Sequence, residues 1–125
     1  TEIEFITTAF DKSDGGTLQV RVRFNEPVDV DTSGGTPTLT VVNDTNANHS
    51  LSYASGTGTN ELVFSLAIAS ANAATNANDV LSIGAQNILK PGGATIKDTA
   101  DGTTDAAVAI SGAQGTAAGT LTVTA

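Results

Sequence analysis

The stretch Leu18-Gln19-Val20-Arg21-Val22-Arg23-Phe24-Asn25-Glu26-Pro27-Val28 alternates apolar and polar residues and then meets a proline. Successive side chains leave a strand on opposite faces, so this period of two is the pattern of a half-buried β-strand. Leu18, Val20, Val22 and Phe24 fall on one face, and Gln19, Arg21, Arg23 and Asn25 on the other. The first face is expected to be core. The second is expected to meet water or a partner.

Shorter runs of the same kind lie on both sides, separated by turn-forming residues, which predicts an all-β sandwich or barrel. Upstream, Glu2-Ile3-Glu4-Phe5-Ile6-Thr7 reads as a first strand, closed by a turn at Asp11-Lys12-Ser13-Asp14-Gly15-Gly16. Downstream of Pro27, Val28 and Val30 precede a Thr-Ser-Gly-Gly turn and then Thr36-Pro37-Thr38-Leu39-Thr40-Val41-Val42. Pro37 has no N–H for a ladder and is confined to a strand start or an edge. The polar segment Asn43–Asn48 returns the chain into Ser50-Leu51-Ser52-Tyr53-Ala54, predicting a hairpin. Glu61–Ile68 is the second strong core strand, with Leu62, Phe64, Leu66 and Ile68 in phase.

The stretch Ala69–Asn78 is rich in Ala and Asn, and its Ser, Thr and Asn undercut helix formation, so it reads as a long crossing loop. Val80–Ile83, Ala94–Ile96 after a Pro91-Gly92-Gly93 turn, Ala107–Ile110 and Thr120–Thr124 complete the expected strands. Thr38, Thr40, Thr120, Thr122 and Thr124 put β-branched, uncharged residues on strand faces, as where a sheet lies against another subunit; the competing reading is a compositional habit of secreted and repeat proteins.

The 125 residues fit a single domain, 1–125, with one continuous core. There is no Trp, Met or Cys, so that core must be built from Val, Leu, Ile, Ala and four Phe, without a disulfide framework. Thirteen acidic residues against five basic ones give a net charge of −8, which repels phosphate backbones and anionic lipid. Neither nucleic acid nor membrane is an expected partner. No stretch approaches the roughly 20 apolar residues of a membrane span, and the opening residues lack a basic region followed by an apolar run. The chain is therefore expected to be a whole natural protein without a secretory signal of its own.

Four blocks in order resemble the immunoglobulin-like repeats of large bacterial adhesins. They are Val22-Arg23-Phe24-Asn25-Glu26-Pro27-Val28, Gly35-Thr36-Pro37-Thr38-Leu39-Thr40-Val41, Tyr53-Ala54-Ser55-Gly56-Thr57-Gly58-Thr59-Asn60-Glu61-Leu62-Val63-Phe64, and Gly92-Gly93-Ala94-Thr95-Ile96-Lys97-Asp98-Thr99-Ala100-Asp101-Gly102. The resemblance covers about residues 15 to 110. It implies an immunoglobulin-like β-sandwich of about seven or eight antiparallel strands, with no catalytic site. The chain departs from the family in closing its last block with Ala100-Asp101-Gly102 and in standing alone rather than in tandem. Similar domains occur on the virions of tailed phages, particularly as capsid decoration proteins.

The residues that could carry chemistry are few. The single histidine, His49, sits in a turn-like context between Asn48 and Ser50 and is expected to be exposed there. No nucleophile elbow or phosphate-binding glycine loop is present, so no enzyme activity is expected. Asp98, Asp101 and Asp105, in a glycine-containing loop, are the leading candidate for calcium, which prefers several oxygen donors; no other cofactor is expected. Asp11 with Asp14, and Asp29 with Asp31, are weaker candidates. The competing reading is that these aspartates cap turn amides. Arg21 and Arg23 could pair with a neighbouring subunit's carboxylates or, across the sheet, with Glu61.

Two functions follow as expectations. The first is a non-enzymatic virion subunit, a phage capsid decoration or cement protein lying on the capsid exterior. Its partners would be the major capsid protein or other virion subunits, in a lattice or homo-oligomer. Ile3 and Phe5 of the first strand and Leu121 and Val123 of the last would then be edge elements adding to a neighbour's sheet. Deleting residues 1–6 would abolish binding and leave a folded monomer. The alternative is a repeat of a bacterial cell-surface adhesin, stiffened by calcium.

Overall fold

The computed structural model describes residues 2–7, 10–44, 48–70, 79–83, 86–106, 109–110 and 120–124. Every regular element among them is a strand. In chain order these are β1 (Glu2–Phe5), β2 (Phe10–Asp11), β3 (Gly16–Asp31), β4 (Thr38–Asn43), β5 (His49–Ser55), β6 (Thr59–Ile68), β7 (Val80–Ser82), β8 (Gln86–Asn87), β9 (Thr95–Asp98), β10 (Ala109–Ile110) and β11 (Thr120–Thr124). The expected crossing loop falls mostly on 71–78, outside the described residues.

The alternating stretch forms the long central strand. Leu18, Val20 and Val22 are fully buried and Phe24 nearly so, as their phase requires. The strand does not end at Pro27. It runs on to Asp31, and its register against β6 shifts between Arg23 and Val28. That interval accommodates a residue with no N–H to donate. Before the shift β3 pairs with β1 and β6, and after it with β9 and, through Val28↔Thr59, still with β6.

The main path runs β1-β3-β6-β5-β4-β7-β11-β2. Its two halves, β1-β3-β6-β5 and β4-β7-β11, follow the A-B-E-D and C-F-G orders of an immunoglobulin-like sandwich, joined by the expected β4–β5 hairpin. One hydrophobic cluster takes Ile3, Val22 and Phe64 from the first half and Leu39, Leu81 and Val123 from the second. Both halves therefore cover the same core. The β2–β11 pair is parallel, a departure from the wholly antiparallel expectation. The next strand in the chain after β1, β2, lies along β11 at the opposite end of the path.

Two glycine-bearing turns also meet backbone to backbone. Gly93 donates its N–H to the Gly34 carbonyl at 3.2 Å, and a Cβ placed on Gly34 would stand 2.5 Å from the Gly93 Cα. These turns carry the Gly34-Gly35 and Pro91-Gly92-Gly93 signals of the sequence.

Candidate functional site

The predicted partner-binding residues separate into three groups. Ile3 and Phe5 are buried in the chain's own core, at 1% and 4% exposure. What β1 offers outward is backbone. Ile6 N–H donates to the Gln19 carbonyl at 2.9 Å, continuing the register Phe5↔Val20, Glu4↔Arg21, Ile3↔Val22 and Glu2↔Arg23. Antiparallel bonding alternates, so Glu4 and Glu2 bond to β3 while the N–H and C=O of Ile3 and Phe5 point away from it. The expectation that residues 1–6 are dispensable for folding is corrected: their removal would open the core.

The last strand differs from the expectation of an edge. β11 lies between β7 and β2, and Val123 is fully buried with its N–H bonded to the Asp79 carbonyl at 2.8 Å. Leu121 pairs with Leu81 through its backbone; its side chain lies outside the described residues. Both backbone edges of β11 are thus occupied within the chain.

Arg21 and Arg23 take the cross-strand option. Arg23 approaches Glu61 Oε1 at 3.1 Å through both Nε and a terminal nitrogen, and Arg21 Nε lies 3.6 Å from Glu61 Oε2. Both pairs are well exposed, so water screens them. Glu61→Gln is expected to cost at most about 1 kcal/mol, and less in high salt, as read by urea denaturation.

The aspartates are mostly engaged in turns. Asp101 accepts the N–H groups of Thr103 and Thr104, each at 2.9 Å, and the Thr104 hydroxyl. Those bonds, the hydroxyl first, hold its carboxyl down at about 2. Asp11 likewise caps Ser13 through hydroxyl and N–H, and Asp31 caps Ser33; both carboxyls sit below their ordinary range. Asp29 accepts the Thr99 hydroxyl at 2.9 Å. Asp98 and Asp105 line a cleft of about 260 Å³ with Glu26, beside Phe24, Val28 and Ala106. Asp101 is not part of its lining, and among the described residues no three His, Cys, Asp or Glu are grouped as a metal site.

His49 is the clearest correction. It is 7% exposed at the start of β5, and Asn43 and Asp79 are buried as well. Its phase was legible, since it stands two residues before buried Leu51 on the same strand face. Asn43 Nδ2 donates to Asp79 Oδ2 at 3.0 Å, whereas His49 Nε2 is buried and has no hydrogen-bond partner among the described residues. Burial lowers the imidazole below its ordinary 6.5, with the Asp79 charge opposing. The folded chain therefore disfavours the proton that the unfolded chain accepts. Stability should be independent of His49 above about pH 6.5 and decline as pH falls below it. His49→Leu should flatten urea-denaturation midpoints between pH 6.5 and pH 5. Asp101 acts lower, its contribution present above its ordinary 3.8 and lost as pH falls toward about 2.

Gln86 was not anticipated. Its Oε1 accepts the Thr40 N–H and its Nε2 donates to the Thr40 carbonyl, both at 2.8 Å. On either side Leu89 pairs with Thr38, and Ser82 with Val42. The side-chain amide acts as a one-residue strand in the gap between them. Compared with protein-family models, with curated proteins and with solved structures, the chain finds no match in any of the three.

Proposed function

We propose that this chain is a non-catalytic structural subunit of a virion, a capsid decoration protein that lies on the capsid exterior. The observation that carries the reading is the edge of β1. Its outward backbone groups at Ile3 and Phe5 are positioned by side chains anchored in the core, giving a preformed place for a neighbour's strand. Arg21 and Arg23 meet Glu61, Asp101 caps its own turn, and His49 is packed inside, so these polar groups act on the fold itself. The sequence resemblance supplies the virion setting.

Particles should be fractionated from cells of the source material and the polypeptide measured by intact mass. A polypeptide containing this sequence is expected to sediment with virions. Recovery only within a much larger cell-surface polypeptide overturns the proposal in favour of an adhesin repeat. The four sequence blocks that resemble adhesin repeats are what favour this second reading. Calcium would then raise the melting temperature and a chelator reverse the rise, because a ligand of the folded state stabilises it. The decoration reading expects one melting curve under both conditions.

A further inference from the structure

We propose that the end of the sandwich around His49 is an acid-operated latch: one proton taken up by the imidazole frees the C-terminal strand β11 while the sheet built on β3 and β6 stays folded. The switch belongs to the chain itself and stands apart from the virion setting.

Asp79 is where that end is tied. Its carbonyl accepts the Val123 N–H of β11 at 2.8 Å, and its carboxylate accepts Asn43 Nδ2 of β4 at 3.0 Å. The next residue, Val80, donates its N–H to the Asp44 carboxylate at 2.9 Å, and its carbonyl accepts the Asp44 N–H at 3.2 Å. His49 enters from β5, paired with Val41 of β4, and the preceding Asn48 accepts the Asn43 N–H through its side-chain oxygen at 3.2 Å. Three polar residues, Asn43, His49 and Asp79, are thus buried to 7% exposure or less where β4, β5, β7 and β11 are joined.

A proton on His49 would enter a ring whose Nε2 is buried and meets no acceptor among the described residues. An imidazolium donates from both nitrogens, so its second N–H needs water, and water reaches it when this end opens. Few charges can compensate. Burial disfavours the imidazolium, and the Asp79 charge opposes that without cancelling it. Asp44 is occupied by the Val80 N–H, and β2 brings Asp11, whose carboxylate is held by Ser13. β4, β7 and β11 contain no ionisable residue, β5 adds only Tyr53 toward its other end, and the stretches 45–47 and 71–78 add none. Release is local because the ladders differ in length. β11 is held by three pairs to β7 and two to β2, whereas β3 and β6 pair at eight consecutive positions from Gly16 to Arg23. The short ladders open first when their shared end loses stability.

The test follows amide exchange of the full chain by NMR at pH 7.5 and pH 5, corrected for the intrinsic effect of pH. Val123, Asp44 and Val80 should lose protection together by roughly tenfold; pH 5 lies 1.5 below the ordinary imidazole value of 6.5, which sets a ceiling of about 30-fold. At both pH values they should exchange faster than the ladder amides of β3 and β6 and respond less to low urea, as in an opening smaller than the whole. Protection and urea response equal to those of β3 and β6 would mean global unfolding and overturn the proposal, as would an unchanged protection at pH 5. His49→Leu should abolish the acid response, and a response as large as the parent's overturns the latch. Asp79→Asn, which keeps an oxygen for Asn43 Nδ2, should retain it; loss there would assign the proton to Asp79 and overturn the proposal too. One further reading needs no variant. The chain has a single histidine, so its Cε1 proton signal titrates alone, and its midpoint should fall below 6.5. A midpoint at 6.5 or above removes the driving force and the proposal with it.

Discussion

Gly92→Ala should lower stability by about 3 kcal/mol, or roughly 10–15 °C in melting temperature, a large loss for one methyl group. Two costs combine. Gly92 has φ of +61°, where an L side chain crowds its own backbone, and its added Cβ would also run into the Gly34 carbonyl of the facing turn. Neither contact can give without separating two backbones. Gly102 offers the control, since its φ is +68° but its Cβ would meet nothing within 4 Å. Gly102→Ala should cost only about 1–2 kcal/mol, the conformational part alone. Thermal melting of both variants separates conformation from collision. Equal losses would show that the two turns move apart freely.

Gln86→Leu is expected to cost about 2–4 kcal/mol in urea denaturation, because it strands a half-buried N–H and C=O of Thr40 together. Gln86→Glu keeps the acceptor for the Thr40 N–H but turns a carboxylate oxygen toward the Thr40 carbonyl. At neutral pH it should be destabilised as well. Below pH 4 the protonated carboxyl regains a donor, so the gap between Gln86→Glu and the parent should narrow on acidification. Gln86→Leu has no such recovery. A Gln86→Leu variant as stable as the parent would mean that water replaces the amide at β4.

The parts of the fold legible in the sequence are those set by local periodicity. Leu18 to Phe24 and Leu62 to Ile68 announce their buried faces through alternation alone, and Pro91-Gly92-Gly93 marks a turn through backbone chemistry. What escaped depends on residues far apart in the chain. Nothing near Gln86 shows that its amide completes a ladder 46 residues away. The edge status of β11 was misread because Phe10, more than a hundred residues earlier, covers its second side. His49 is an intermediate case. Its alternation with Leu51 pointed inward, but the polar turn residues before it pointed outward, and a buried neighbour at Asp79 made the interior tolerable. For the candidate site, the pairing of Arg21 and Arg23 with Glu61 followed from strand alternation and opposite charge. The separation of Asp101 from Asp98 and Asp105 required the turn's actual hydrogen bonds.

The parallel contact between β2 and β11 has a mechanical consequence. Phe10 pairs with Val123 and Asp11 with Thr124, so the segment leading in from the N-terminus and the one leading out to the C-terminus run side by side in the same direction. Tension applied to the two ends acts first on β1, which precedes β2 and is held by β3, and once β1 parts it pulls β2 and β11 lengthwise past each other. Their hydrogen bonds are then loaded simultaneously in shear instead of being peeled away one at a time. A module tethered at both ends would consequently yield abruptly at a high threshold force, which suits a part that must carry strain without lengthening.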